Sequence, residues 1–114
     1  MSRSDNTVLL RHMLDHAKEA AAMAAGKLRA DLDTDRQLNL SLVRLLEIVG
    51  EAASRIPKEE RVRYPDIPWS DIISLRNRLI HAYDKIDFDI LWQIVVEDLP
   101  ALIRELEKSV RTGQ

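Results

Sequence analysis

Apolar residues recur at intervals of three and four along most of this chain, and the breaks in that rhythm divide it into helices. Over residues 7–29 the stripe is Leu10, Met13, Leu14, Ala17, Ala20, Ala21, Ala24 and Leu28, which predicts a first helix. Its alanine-rich middle would let a neighbouring helix approach closely. The acidic segment 30–35 interrupts the pattern and reads as a loop. Thr34, followed three residues later by Gln37, matches a capping box and places the start of a second helix there. Leu38, Leu42, Leu45, Val49, Ala52 and Ile56 form its stripe, which Leu46, Ile48 and Ala53 widen. Pro57 ends it, because proline has no N–H and its ring blocks continuation.

The mixed charges of residues 58–63 predict a short helical turn, and Pro65 and Pro68, flanked by Tyr64 and Trp69, predict an ordered connection pinned to the core. Ser70 is placed to cap a third helix that buries Ile72, Leu75 and Leu79 and runs through Tyr83. After a connection at 84–87, Asp87 caps a last helix with the stripe Phe88, Leu91, Trp92, Val95, Leu99, Leu102, Leu106 and Val110. Pro100 should kink it by removing the hydrogen bond to the Val96 carbonyl, and residues 111–114 should fray. Four principal helices, the third short, with an added turn after Pro57, make an all-α antiparallel up-and-down bundle. The breadth of the second and fourth stripes predicts burial against a second copy, a homodimer.

Composition narrows the picture further. At 114 residues and 46% apolar, the chain suits one domain, residues 1–114, and its 4% aromatic content with three glycines and four prolines leaves little material for sheet. Zero cysteines exclude disulfides and thiol chemistry. A net charge of −2 and a pI near 5.9 give no global attraction to nucleic acid, so any such contact must be local. No long uninterrupted apolar run marks a signal or a membrane span, which makes a cytoplasmic, membrane-free protein the expectation. His12 and His16 stand at i, i+4, a spacing at which two imidazoles can share a metal. With no acidic residue where a zinc-protease helix motif needs one and no third ligand, they read as solvent-facing, and neither metal nor cofactor is expected. Glu51, beside Gly50, reads either as an arginine partner at a site or as an ordinary surface acid, the second being favoured.

The concentrated chemistry lies at residues 76–83, Arg-Asn-Arg-Leu-Ile-His-Ala-Tyr. Arg76 holds a permanent charge on a fork that matches phosphate oxygens, and His81 can move a proton near neutral pH. Together they fit metal-free cleavage of an RNA phosphodiester. A base activates the 2′-hydroxyl, an acid protonates the leaving 5′ oxygen, and a cation stabilises the phosphoryl oxygens. On one straight helix Arg76, Ile80 and Tyr83 share a face while His81 sits about 140° around from Arg76. The reaction asks for two proton-transfer partners and the motif offers one histidine per chain. A two-fold dimer would double the set to two Arg76 and two His81 across one cleft, and would relieve that angle by setting Arg76 of one copy against His81 of the other. The same residues also read as surface arginines, a histidine suited to a helix end and a packing tyrosine.

The pattern Arg-x4-His-x-Tyr at Arg76, His81 and Tyr83, with Asn77 after the arginine, resembles the signature of the HEPN superfamily and most closely its HepT toxin family. The likeness extends to Ile-Val-Gly-Glu-Ala-Ala at 48–53, Pro-Asp-Ile-Pro-Trp at 65–69 and Leu99-Pro100, in the family's order and over nearly the whole chain. The resemblance implies an all-helical dimer acting as a metal-independent endoribonuclease toxin, with Arg76 and His81 as the catalytic pair, Asn77 assisting and Arg78 contacting substrate. It further implies a small nucleotidyltransferase (MntA-like) antitoxin that transfers AMP to Tyr83. Ala82 departs from the glycine frequent at that position. Two other readings are a non-catalytic subunit presenting a nucleotide or substrate to a separate nucleotidyltransferase, and a purely structural helical dimer.

Overall fold

Where apolar spacing is regular the chain is helical, in a computed structural model that describes residues 3–80 and 85–113. Helix α1 (Arg3–Ala24) starts earlier and ends five residues sooner than its stripe suggests. Gly26, at φ 77°, turns the backbone left-handed just past the helix, a conformation that favours glycine. Leu28, expected in the buried stripe, is therefore carried outside and is 70% exposed.

The acidic segment that follows is a helical turn, α2 (Asp31–Thr34), rather than a loop. Its one large apolar residue, Leu32, is fully buried, and the Leu32 carbonyl accepts a hydrogen bond from the buried Asn39 amide at 2.9 Å. Because Thr34 still belongs to this turn, the cap of α3 (Arg36–Arg55) falls one residue later. Asp35 has the extended backbone a cap requires, and its carboxylate accepts from the Leu38 N–H at 3.0 Å. Helix α3 ends before Pro57, and Arg61 of the short α4 (Lys58–Arg61) folds back to donate to the Ile56 carbonyl at 2.9 Å. That contact satisfies an acceptor the helix end leaves open.

The connection to the third helix is ordered as expected: Tyr64 and Ile67 are buried, and the Trp69 indole N–H donates to the Tyr64 carbonyl at 3.0 Å. The third helix itself departs from expectation in three ways. It begins at Trp69, so Ser70 lies inside the first turn instead of capping it. It is broken at Ser74 into α5 (Trp69–Ile73) and α6 (Leu75–Leu79). It stops at Leu79, where Ile80 turns extended and pairs with Ile86 in an isolated antiparallel bridge. The Asp87 N–H, donating to the Leu79 carbonyl at 2.9 Å, locks that exit. The helix face expected to join Arg76 and Ile80 therefore ends at Leu79, and Tyr83 lies outside the described residues.

Asp87 caps α7 (Phe88–Gln93) by accepting from the Asp89 and Ile90 N–H groups at 3.0 and 3.1 Å. A π-helical turn (Ile94–Asp98) then leads into α8 (Leu99–Gly113), which stays helical past Arg111. The expected effect of Pro100 takes this form: its ring crowds the Val96 carbonyl and offers it no N–H, and a wider turn relieves both.

The molecule is an all-α bundle in which α1 packs along α3 and α8 while α5 and α6 lie against another flank of α3. Leu10, Met13, Ala17 and Ala20 of α1 are fully buried, as are Leu42, Leu46, Val49 and Ala53 of α3 and Leu106 of α8. Among the described residues no helix is long and apolar enough to cross a membrane. Helix α5 approaches α3 tightly at Gly50, where a Cβ would stand 2.8 Å from the Ile72 carbonyl oxygen and 3.9 Å from the Cβ of Leu75 in α6.

That distance fixes a sign. In an unobstructed helix Gly→Ala stabilises by roughly 1 kcal/mol. At Gly50 the new methyl must displace backbone, and strain of this kind costs about 1–3 kcal/mol. Calorimetry of Gly50→Ala should therefore show a lowered melting temperature, whereas an unchanged or raised one would mean that α5 does not press on α3 there.

Candidate active site

Helix α3 carries, on the flank left free by its buried stripe, a second stripe of polar residues: Arg44, Glu47, Glu51 and Ser54. Their spacing of three, four and three puts them in one row along the helix. Helix α6 brings Arg76 and α5 brings Ile73 to the opposite side, and with Gly50 these residues line a cleft of about 400 Å³. A smaller adjoining hollow of about 110 Å³ is lined by Val43, Glu47, Arg76, Leu79, Ile80 and Ile86. Glu47 and Arg76 border both spaces.

Arg76 and Asn77 are exposed, and Glu47 is half-buried. Among the described residues, Arg44, Glu47, Glu51 and Arg76 form no ion pair with one another or with any other group. Two guanidiniums and two carboxylates thus share one cleft without neutralising each other directly. Arg76 is free to meet an anion with its fork, as a phosphate requires.

Arg78 does not join them. Two residues beyond Arg76 on a helix is a rotation of about 200°, which turns it to the far side of α6. There it donates to Asp98 of the π turn at 3.2 Å and lines a separate cleft of about 400 Å³ against α8. That cleft has an apolar floor including Ile72, Leu75, Leu99 and Leu102, and its charged lining is Asp66, Asp71, Glu97, Asp98 and Glu105 against Arg78 alone. Five carboxylates less one guanidinium give −4, so with a chain total of −2 the remainder carries +2. A polyanion is repelled from this side.

His81 and Tyr83 lie outside the described residues. Their segment follows Ile80, which lines the hollow beside Arg76. His12 and His16 are far from this cleft in the sequence and on α1; their rings are 6.0 Å apart, and the His16 Nδ1 donates to the His12 carbonyl at 2.6 Å. Among the described residues no group of three or more His, Asp or Glu is placed to hold a metal ion. Glu51 is exposed and, among the described residues, pairs with no arginine, although it lines the same cleft as Arg76. Arg44, Glu47 and Ser54 were not singled out in the sequence. The signal for them was a polar stripe on α3, and only the fold shows what stands opposite it.

Elsewhere the strongest surface tie is Arg29. It donates to Asp89 at 2.7 Å and to Asp33 at 3.0 Å, and these bonds raise its pKa further above its ordinary range. The tie links the end of the α1–α2 connection to α7 and plays no part in the cleft.

A family model described as "Ribonuclease HepT-like" matches residues 13–109, which takes in both walls of the cleft. The chain is 34% identical over 107 residues to "Putative RNase MJ1380" of Methanocaldococcus jannaschii, covering 94% of this chain and 98% of that one. It is 40% identical over 78 residues to "Probable ribonuclease HepT" of Thermococcus cleftensis, covering 68% and 71%. "Putative RNase TTE0752" of Caldanaerobacter subterraneus is 34% identical over 102 residues, covering 90% and 88%. No solved structure matches the chain.

The Arg78–Asp98 pair is partly exposed on both sides, at 35% and 49%, so its contribution is that of a surface ion pair. A double-mutant cycle with Arg78→Ala and Asp98→Ala in urea should give a coupling of about 0.2–1 kcal/mol that fades in high salt. A coupling several times larger, or one indifferent to salt, would contradict the reading of Arg78–Asp98 as a solvent-screened surface pair, and no coupling would mean that the pair does not form in solution.

Proposed function

Since the chain belongs to the HepT-like ribonuclease family, we propose that it is a metal-independent endoribonuclease whose substrate phosphate sits in the cleft between α3 and α6. The observation that carries this reading is Arg76: a guanidinium on the cleft wall with no ion pair among the described residues, at the head of the Arg-x4-His-x-Tyr motif. In the reaction Arg76 holds two phosphoryl oxygens and stabilises the charge that grows on them. His81, four residues after the variable stretch begins, gives its proton to the leaving 5′ oxygen, and the Asn77 amide assists at the phosphate. Arg78 lies on the far side of α6 from Arg76, where it pairs with Asp98 at the acidic cleft, so this reading gives it no part in holding the phosphate at Arg76.

The reading includes a homodimer in which Arg76 of one copy and His81 of the other complete each site. It places the protein in the cytoplasm as the toxin of a toxin–antitoxin pair. The antitoxin is a small nucleotidyltransferase that adenylylates Tyr83, and the added bulk and negative charge beside the cleft oppose an RNA substrate.

Purified protein should cleave single-stranded RNA in the presence of EDTA, and Arg76→Ala and His81→Ala should each slow cleavage by about 100-fold or more while circular dichroism stays unchanged. Mixing the two inactive variants should restore part of the rate, because a mixed dimer regains one complete site. Equal cleavage by all three proteins would end the ribonuclease reading. No recovery on mixing, or a monomer in sedimentation at micromolar concentration, would end the shared site.

The modification is tested separately by intact mass. Co-expression with a nucleotidyltransferase encoded beside this chain should add one AMP to the wild type and none to Tyr83→Phe. An unmodified wild type, or an equally modified Phe variant, would remove Tyr83 from its regulatory role.

A further inference from the structure

The proposed reaction leaves one proton without a destination, that of the attacking 2′-hydroxyl. His81 serves the leaving oxygen, and a guanidinium does not accept protons under ordinary conditions. A second proton-transfer group has to come from the other His81 of the dimer or from the cleft itself.

The cleft holds two carboxylates, Glu47 and Glu51, and their presence needs a reason, because each repels the phosphate that Arg44 and Arg76 attract. Neither is there to neutralise an arginine, since neither is ion-paired to a described residue. The two differ in position. Glu51 is exposed and borders only the polar cleft. Glu47 is half-buried, borders Arg76 in both spaces, and also lines the apolar hollow of Val43, Leu79, Ile80 and Ile86. A carboxylate used as a base belongs beside the cation that holds the phosphate, within reach of the attacking hydroxyl. Glu47, which borders Arg76 in both spaces, meets that requirement more fully than Glu51.

Resting on the ribonuclease reading, we infer that Glu47 is the proton acceptor of the cleavage. The 2′ O–H bond breaks and its proton passes to the Glu47 carboxylate while O2′ forms a bond to phosphorus. The P–O5′ bond then breaks, and O5′ leaves with the proton from the His81 imidazolium. The products are a 2′,3′-cyclic phosphate and a 5′-hydroxyl. Water carries the proton from Glu47 back to the imidazole, so no metal, oxidant or other reactant is consumed. Arg44 and Glu51 from α3 and Arg76 from α6 are the charged groups around Glu47 in these two spaces.

Single-turnover cleavage of an RNA oligonucleotide across the pH range, with the dimeric full chain, tests this assignment. Glu47→Gln should cleave about 100-fold more slowly than wild type or worse and lose the rise in rate on the acid side of the profile, while binding RNA at least as tightly, because a negative charge is gone. Glu47→Asp, which keeps the carboxylate, should retain that acid-side rise at a reduced rate, and this variant guards against a loss of folding in the glutamine form. If Glu47→Gln matches wild type while Arg76→Ala is inactive, the inference falls and the ribonuclease reading stands. If Arg76→Ala is also fully active, the underlying reading fails as well. A slowed Glu47→Gln enzyme with an unchanged pH profile would make Glu47 structural and overturn the assignment.

Discussion

The contact on which the site depends is the seating of α5 against α3 at Gly50. With no side chain at that position, the Ile72 carbonyl oxygen comes to 2.8 Å from where a Cβ would be. The break at Ser74 then redirects the chain, so that α6 presents Arg76 across the polar row of α3. The free energy of this arrangement comes from the buried Ile72, Leu75 and Leu79, and the polar residues are carried along by the apolar ones.

The same short helix separates charge. Arg76 faces a cleft that mixes two cations with two carboxylates, while Arg78 faces one with five carboxylates and an apolar floor. A net acidic protein can in this way offer a polyanion one local approach and repel it from the other side. The π turn before Pro100 belongs to this division, because it supplies Glu97 and Asp98 to the acidic cleft. Local repulsion orients a substrate as effectively as attraction does.

Much of the fold was legible because long apolar stripes with regular spacing leave few alternatives: α1, α3 and α8 are where the rhythm puts them. The errors cluster at ends, where a single side chain or a backbone angle decides. Gly26 stopped α1 early, Leu32 drew an acidic segment into a helical turn, and Asp35 took the cap that Thr34 seemed placed for. The third helix was misread for a different reason. Nothing in its own spacing announces the break at Ser74 or the extended exit at Ile80, which is held by a pairing with Ile86 that arises only in three dimensions. The site was legible in half. Arg76, Asn77, His81 and Tyr83 stand in one short motif, but Arg44 and Glu47 belong to another helix, and their polar row resembles any solvated face until Arg76 is set against it.

The central claim is that RNA lies between the polar row of α3 and Arg76. It is tested most directly by photocrosslinking a 4-thiouridine RNA carrying 2′-O-methyl groups, which block cleavage, and mapping the attached peptides by mass spectrometry. Crosslinks in residues 44–54 and 75–80 are the predicted result. Crosslinks confined to residues 93–105, along the acidic cleft, would contradict the account.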